Sequence, residues 1–256
     1  MSRFIYNGKN IYYTELGDGR PLLLLHGNTA SSNMFGGVEE QFAANHRVVL
    51  LDFLGHGRSD RLERFPADLW YDEAMQVIAL MRERQYESVD IIGSSGGALV
   101  AVNAALEAPA LVGKIIADSF EGERALPAFT ENMKEERERS KHDPGAVMFY
   151  KAMQGADWES VVDNDTDAVI RHSRELGIFF HKPLCAMQAD VLLTGSLEDE
   201  FVTALEQDFF RKTYGELLSK IGHGSMHLFE HGGHPAMLSN QAEFVRLSEE
   251  FLSTGI

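Results

Sequence analysis

Short apolar runs alternate with amphipathic segments along most of the chain. Most of these runs are followed by Gly, His or Asp, and their apolarity is largely continuous, which indicates strands covered on both faces of a parallel sheet. Ahead of them, Asn7-Gly8 separates two β-rich runs and favours a tight hairpin, because both residues tolerate positive φ angles. The hairpin strands are predicted at 4–6 and 11–14, and the further strands at 21–25, 48–51, 89–92, 112–117, 191–194 and 226–229.

Helical patterns lie between these runs, the clearest at 72–84, 98–107 and 241–252. In the first, apolar residues recur at i, i+3, i+4 and i+7 from Ala74 onward, as on one face of a helix. The second is apolar nearly all round, which indicates a helix buried against a sheet. Repeated strand–helix–strand units predict a doubly wound α/β architecture with right-handed crossovers.

Residues 123–187 break the alternation, because they contain no convincing strand. We predict a helical insertion there, so that 1–122 and 188–256 form one α/β core. The charged run 134–141 favours a solvent-exposed helix face. The functional alternative is a lid whose apolar side covers a pocket.

Charge and cysteine content narrow the class of protein. The 256 residues include 39 Asp and Glu against 23 Lys and Arg, a net charge of −16, which disfavours nucleic acid and anionic membranes as partners. The single Cys185 cannot form an internal disulfide, and we expect it to be a buried apolar group. With no apolar stretch of signal-peptide or membrane-spanning length, we expect a cytoplasmic protein with a small-molecule substrate and a possible second copy as partner.

The strongest local feature is Gly93-Ser94-Ser95-Gly96-Gly97, between a predicted strand and a predicted helix. It fits the GxSxG pattern, in which a strained turn exposes the hydroxyl of the central serine, here Ser95. Taken alone, the pattern could also be a glycine-rich turn with a structural serine. Neither the spacing of a dinucleotide-binding turn nor the lysine of a P-loop is present, so no cofactor is expected.

A second loop could complete such a site. The predicted strand at 21–25 runs into His26-Gly27-Asn28. A main-chain amide after this strand can meet the amide that follows the nucleophile, so that two donors face one oxyanion. We predict Asn28 and Gly96 for these roles.

A nucleophilic serine needs a base, and His234 follows the last predicted strand, where the carboxyl ends of parallel strands converge. His231 lies close by, and the two histidines could bind a metal. No third ligand falls at a recognisable spacing, so no metal is expected.

The carboxylate that orients the base is predicted in the loop after strand 191–194. Asp199 is the first choice and Glu198 the second. Asp118 and Glu121, which follow the preceding strand, remain more distant candidates.

These segments together resemble the α/β-hydrolase fold superfamily over nearly the whole chain outside the insertion. They are 26–28, 51–60, 93–97, 195–199 and 232–234, and they give the order nucleophile, acid, base. The resemblance implies that 123–187 is a cap and that His56 is structural. In relatives the acid usually stands three residues after the glycine of its loop, which is Glu198 here. Ser95 disfavours relatives with an aspartate nucleophile, the haloalkane dehalogenases and epoxide hydrolases.

The expected activity is that of a cofactor-free serine hydrolase acting on a small ester, thioester or related acyl substrate. Carbon–carbon bond hydrolases, amidases or peptidases, and perhydrolases could use the same residues. A ligand-binding protein that keeps the architecture without turnover is the alternative from another class.

Overall fold

A computed structural model describes residues 2–254. Eight strands form one sheet in the order β1-β2-β4-β3-β5-β6-β7-β8, antiparallel through β1, β2 and β4 and parallel from β4 to β8. The strands are β1 (Ser2–Tyr6), β2 (Lys9–Leu16), β3 (Pro21–Leu25), β4 (Arg47–Leu51), β5 (Val89–Ser94), β6 (Val112–Asp118), β7 (Asp190–Ser196) and β8 (Ser225–Phe229). The predicted mostly parallel sheet with an opening hairpin is confirmed.

The hairpin turn has the geometry that its sequence predicts. Asn7 and Gly8 both have positive φ angles, 49° and 77°, and Tyr6 pairs directly with Lys9. Such a two-residue turn matches the right-handed twist of the strands. β2 continues two residues beyond its predicted end because Glu15 and Leu16 pair with β4.

The three predicted helices are present with small shifts of their ends. Helix α2 begins three residues before its predicted start, and α3 begins at Gly96, directly after Ser95. The helices are α1 (Val38–Phe42), α2 (Leu69–Glu83), α3 (Gly96–Glu107), α4 (Pro127–Thr130), α5 (Met133–Ser140), α6 (Pro144–Gln154), α7 (Trp158–Glu175), α8 (Glu200–Thr203), α9 (Phe209–Ile221), α10 (Ala236–Ser239) and α11 (Gln241–Ser253).

Apolar layers cover both faces of the sheet. Successive side chains of a strand point to opposite faces. Leu23 and Leu25 therefore belong to the buried apolar layer that includes residues of α2, α3 and α9, whereas Leu22 and Leu24 belong to the layer that includes residues of α1, α10 and α11. The carboxyl ends of the parallel strands remain open at one edge, where ligand sites of α/β sheets lie.

Residues 123–187, called here the inserted segment, contain α4 to α7 and a short 3-10 turn, Leu184–Ala186. Helix α7 packs against α4, α5 and α6, and also against α2 of the core. An isolated bridge between Arg124 and Ile178 joins the two ends of the segment. The charged run 134–141 is largely exposed on α5, as predicted, but Glu136 and Arg137 face a cavity.

The expectation that Cys185 is buried is wrong. The residue is exposed. It lies in the short 3-10 turn, where the preceding Leu184 is buried instead.

Within residues 2–254, none of the helices combines the length and the apolar character needed to cross a bilayer.

Candidate active site

Ser95 lies on the sharp turn between β5 and α3. Its φ and ψ angles are 56° and −123°, a conformation that side-chain-bearing residues rarely adopt. The turn is also very tight, since a Cβ on Gly93 would lie 2.0 Å from the Gly97 carbonyl oxygen. The Ser95 amide donates to the Asp118 carbonyl of β6 at 2.8 Å. The turn therefore holds the Ser95 hydroxyl out at the open edge of the sheet.

Three side chains from distant parts of the chain meet in series at this edge. Ser95 Oγ lies 3.0 Å from His234 Nε2, and His234 Nδ1 lies 2.8 Å from Asp199 Oδ2. Because a carboxylate only accepts hydrogen bonds, Nδ1 carries the proton and Nε2 can accept from the serine. The geometry is that of a nucleophile, a base and an orienting acid.

Backbone amides fix the acid and the base. Asp199 is fully buried at the start of α8, and its Oδ1 accepts from the Phe201 amide at 2.9 Å. The His234 amide donates to Glu200 Oε2 at 3.0 Å. Both side chains of the pair are therefore held in place on loops that follow β7 and β8.

The surroundings of His234 favour its protonated form. Burial alone would lower the pKa of the imidazole, but the hydrogen bond and the negative charge of Asp199 outweigh it, with further help from Asp118 and Glu200. The pKa of His234 is therefore raised above its ordinary value. A raised pKa makes the ring a stronger base toward Ser95.

Glu198 contacts a different histidine. Its Oε1 lies 3.1 Å from His231 Nδ1, and its Oε2 accepts from the Gly232 amide at 3.2 Å. Both side chains are exposed. Of the two acids predicted for the orienting role, Asp199 contacts His234 and Glu198 does not.

Asp118 and Glu121, the more distant candidates, make no hydrogen bond to the His234 ring among the described residues. Asp118 accepts from Thr194 Oγ1 and the Met237 amide, and burial raises its pKa to about 6. Burial also raises the pKa of Glu121, to about 7, and its side chain lines the cavity next to Ser95.

The loop after β3 packs directly against the Ser95 turn. A Cβ on Gly27 would lie 3.0 Å from both the Ser94 carbonyl oxygen and the Ser95 Cβ. Asn28 and Gly96 line the same cavity as Ser95. In residues 2–254 neither of their main-chain amides donates a hydrogen bond to a protein group. The two predicted oxyanion donors are thus brought together beside the nucleophile.

Comparison with known proteins places this geometry in a family. The model of the alpha/beta hydrolase family matches residues 22–247, a span that contains Asn28, Ser95, Asp199 and His234. The chain belongs to the alpha/beta hydrolase family. The predicted superfamily and the prediction of a hydrolase are confirmed.

Relatives of this alpha/beta hydrolase match over nearly its whole length. It is 27% identical over 255 residues to serine hydrolase BPHL of Mus musculus, covering 96% of this chain and 84% of the relative. It is 27% identical over 270 residues to 2-hydroxy-6-oxo-6-phenylhexa-2,4-dienoate hydrolase of Comamonas testosteroni, covering 94% of this chain and 91% of that relative. The structure of an esterase from Exiguobacterium antarcticum superposes with a TM-score of 0.73 at 19% identity, covering 97% of both chains. This last likeness concerns the fold alone.

A cavity of about 730 Å³ lies over Ser95 in this alpha/beta hydrolase. Its walls come from the core and from the inserted segment and are mainly apolar. Apolar wall residues include Leu99, Phe120, Ala125, Leu126, Phe129, Val169 and Phe179. Phe149, Phe201, Leu205 and Leu238 are partly exposed and also line it.

His56 is buried outside this cavity, in agreement with the structural role that the family resemblance implies. Residues 2–254 contain no group of three or more His, Cys, Asp or Glu side chains placed to hold a metal ion.

The sequence did not point to three residues around the site. The Trp70 indole donates to Asn28 Oδ1 at 3.2 Å, and Phe201 packs its ring against His234. Asp165 of α7 accepts from Asn28 Nδ2 at 2.9 Å. Only Asp165 carries a sequence signal, because it is a carboxylate on the apolar face formed by Val161 and Ala168.

Proposed function

We propose that this alpha/beta hydrolase is a serine hydrolase that cleaves a small ester, thioester or related acyl substrate through an acyl-enzyme on Ser95. The observation that carries the proposal is the unbroken series of hydrogen bonds from Ser95 through His234 to Asp199 at the wall of an apolar cavity. The steps use side chains and main-chain amides of this chain, and water.

In the first half of the reaction, Ser95 Oγ attacks the carbonyl carbon as His234 Nε2 takes the hydroxyl proton. The oxygen of the substrate carbonyl becomes negative and accepts hydrogen bonds from the main-chain amides of Asn28 and Gly96. Asp199 stabilises the imidazolium through Nδ1–H. When the tetrahedral intermediate collapses, His234 protonates the departing alcohol or thiol, and the acyl group remains on Oγ as an ester.

In the second half, water attacks the acyl carbon while His234 removes one of its protons. The same two amides stabilise the second oxyanion. Collapse releases a carboxylic acid and returns the proton to Ser95 Oγ, so the enzyme ends in its starting state.

The lining of the cavity supports an apolar acyl or aromatic group on the substrate. Apolar side chains surround the space next to Ser95, and Phe201 and Leu205 extend this surface toward solvent. Burial of apolar area favours binding by roughly 25 cal/mol per Å². We therefore expect esters with medium acyl chains to be cleaved faster than acetates.

We propose that the inserted segment, residues 123–187, is a helical cap on a core of residues 1–122 and 188–256. The proposal is supported by Phe129 of α4, Phe149 of α6 and Val169 of α7, which all line the cavity. The single cysteine, which allows no internal disulfide, supports a cytoplasmic location as part of the proposal.

The relative from Comamonas testosteroni, named for the hydrolysis of a phenylhexadienoate, favours a second candidate: cleavage of a carbon–carbon bond by the same three residues. The two candidates separate in one assay series. Turnover of 2-hydroxy-6-oxo-6-phenylhexa-2,4-dienoate well above that of p-nitrophenyl esters would favour the second candidate.

The central test is Ser95→Ala, with the exposed Ser253→Ala as a matched control. We expect Ser95→Ala to lower kcat for p-nitrophenyl butyrate by about 10⁴-fold or more, because the nucleophile acts as one unit with its base. A fluorophosphonate should label the parent and Ser253→Ala once per chain, and Ser95→Ala not at all. A folded parent that neither turns over nor labels would support the ligand-binding alternative, and an active Ser95→Ala would end the proposal.

A further inference from the structure

The loop that carries Asn28 is held from the inserted segment rather than from the core alone. Asp165 of α7 is fully buried. Its Oδ2 accepts from Asn28 Nδ2 at 2.9 Å and from the Thr29 amide at 3.3 Å. One carboxylate oxygen therefore fixes two consecutive residues across 136 and 137 positions of sequence.

Two more helices of the inserted segment contact the same loop. These contacts are Arg137 Nη1 to Thr29 Oγ1 at 3.4 Å, Gln154 Nε2 to the Ala30 carbonyl at 2.8 Å, and Asn33 Nδ2 to the Ala152 carbonyl at 2.9 Å. Helices α5, α6 and α7 thus all bind residues 28–33. Among them, Asp165 alone reaches Asn28 itself.

The backbone of the loop needs such support. Thr29 has a φ of 55°, a genuine outlier for a β-branched residue. Strained residues persist where surrounding groups over-determine their conformation. Here the Thr29 amide is bound by Asp165, and the Thr29 hydroxyl donates to the Asn28 carbonyl at 2.7 Å. The Asn28 side chain and the peptide plane that follows Asn28 are therefore tied to one buried carboxylate.

Asp165 accepts these bonds as a carboxylate. Burial raises the pKa of Asp165, but His56, Arg137 and the side-chain amide of Asn28 lower it more. The pKa of Asp165 therefore lies below its ordinary value. Hydrogen bonds to a charged acceptor are roughly twice as strong as neutral ones. The loop is therefore held firmly at this point.

We propose that Asp165 is a positioning residue of the oxyanion hole. Through Asn28 Nδ2 and the Thr29 amide, it sets the direction in which the Asn28 main-chain amide faces the substrate carbonyl that Ser95 attacks. The inference rests on the proposed function. It gives the inserted segment a part in the chemical step, in addition to its part in lining the cavity.

The first test compares Asp165→Ala with Asp163→Ala, the same change at an exposed position of the same helix. Removal of an oxyanion donor costs about 10²- to 10³-fold in kcat, and misplacement should cost less. We expect Asp165→Ala to lower kcat for p-nitrophenyl butyrate by about 10- to 100-fold, with KM changed by less than about threefold. The affinity for a boronic acid that mimics the tetrahedral intermediate should fall by a similar factor, while Asp163→Ala matches the parent.

The second test keeps the side-chain shapes and serves even if Asp165→Ala does not fold. Asn28→Asp retains the acceptor for Trp70 Nε1 but loses the donor to Asp165. We expect it to lower kcat by about tenfold or more. Asp165→Asn alone can keep one amide oxygen as the acceptor of both hydrogen bonds, so it should retain kcat within about threefold of the parent, with KM unchanged.

A purely structural role predicts something else: lower thermal stability of Asp165→Ala and Asn28→Asp, with an unchanged kcat per folded enzyme. That result would overturn the inference. Failure of the proposed function is seen separately, in Ser95→Ala. If Ser95→Ala is inactive and Asp165→Ala equals Asp163→Ala, only the role of Asp165 is lost.

Discussion

Two acid–histidine pairs stand side by side in this alpha/beta hydrolase. Asp199 contacts His234 at 2.8 Å, and Glu198 contacts His231 at 3.1 Å. The pairs are built from consecutive acids and from histidines three positions apart. The Asp199 and His234 side chains are 0% and 18% exposed, whereas those of Glu198 and His231 are 59% and 80% exposed.

The difference shows that burial and direction, rather than residue type, separate a candidate catalytic pair from a surface ion pair. Glu198 raises the pKa of His231 through a hydrogen bond, but solvent screens an exposed pair and leaves it little energetic weight. Asp199 is turned inward by the Phe201 amide. Only its histidine reaches Ser95.

The largest effect expected from this contrast lies in the histidines. His234→Ala removes the base for Ser95, and we expect it to lower kcat by about 10⁴- to 10⁶-fold. His231→Ala removes only a solvent-screened contact, so its kcat should stay within about twofold of the parent. Initial rates with p-nitrophenyl butyrate measure both.

Circular dichroism of the two variants provides the control, since both should keep the parent's spectrum. An active His234→Ala would show that the series through Ser95 is not the catalytic unit. A strong loss in His231→Ala would show that the exposed pair belongs to the site.

The acids give the next largest effect. Asp199→Asn keeps the shape of the side chain but places an amide opposite His234 Nδ1, which favours the wrong tautomer, and we expect kcat to fall by about 10³- to 10⁴-fold. Glu198→Gln is the matched change in the surface pair and should leave kcat within about twofold. Equal losses in both variants would contradict the assignment of Asp199 to the relay.

The contrast also marks how far the sequence alone could go. Ser95 and His234 follow strands of a parallel sheet, and such strand ends converge whatever the loops do in detail. The choice between Asp199 and Glu198 depends on one turn of backbone. Spacing from Gly195 points to Glu198, whereas the structure points Asp199 inward because it caps α8.

The contacts made by the inserted segment could not be predicted from the sequence for a related reason. Its helices are visible as patterns, but their packing on the core depends on contacts between residues more than 100 positions apart. Asp165 leaves a local trace, an acid on an apolar helix face. The exposure of Cys185 leaves none, because local composition there does not decide which side of a short turn faces solvent.

The smallest effect expected is a shift of the pH profile. His234 must be neutral to take the Ser95 proton, so kcat/KM should fall as pH drops through the pKa of His234. Since Asp199 raises that pKa, the midpoint of the acid limb should lie above the ordinary value of 6.5.

In the residual activity of Asp199→Asn the midpoint of this acid limb should move down, because the imidazolium of His234 loses its stabilising charge. Glu198→Gln should not move it, since the histidine that Glu198 contacts is His231. Rates measured between about pH 5 and 9 for the three proteins test this. A limb that moved with Glu198→Gln would show that the exposed pair is coupled to the reacting histidine, and the distinction drawn from burial would then fail.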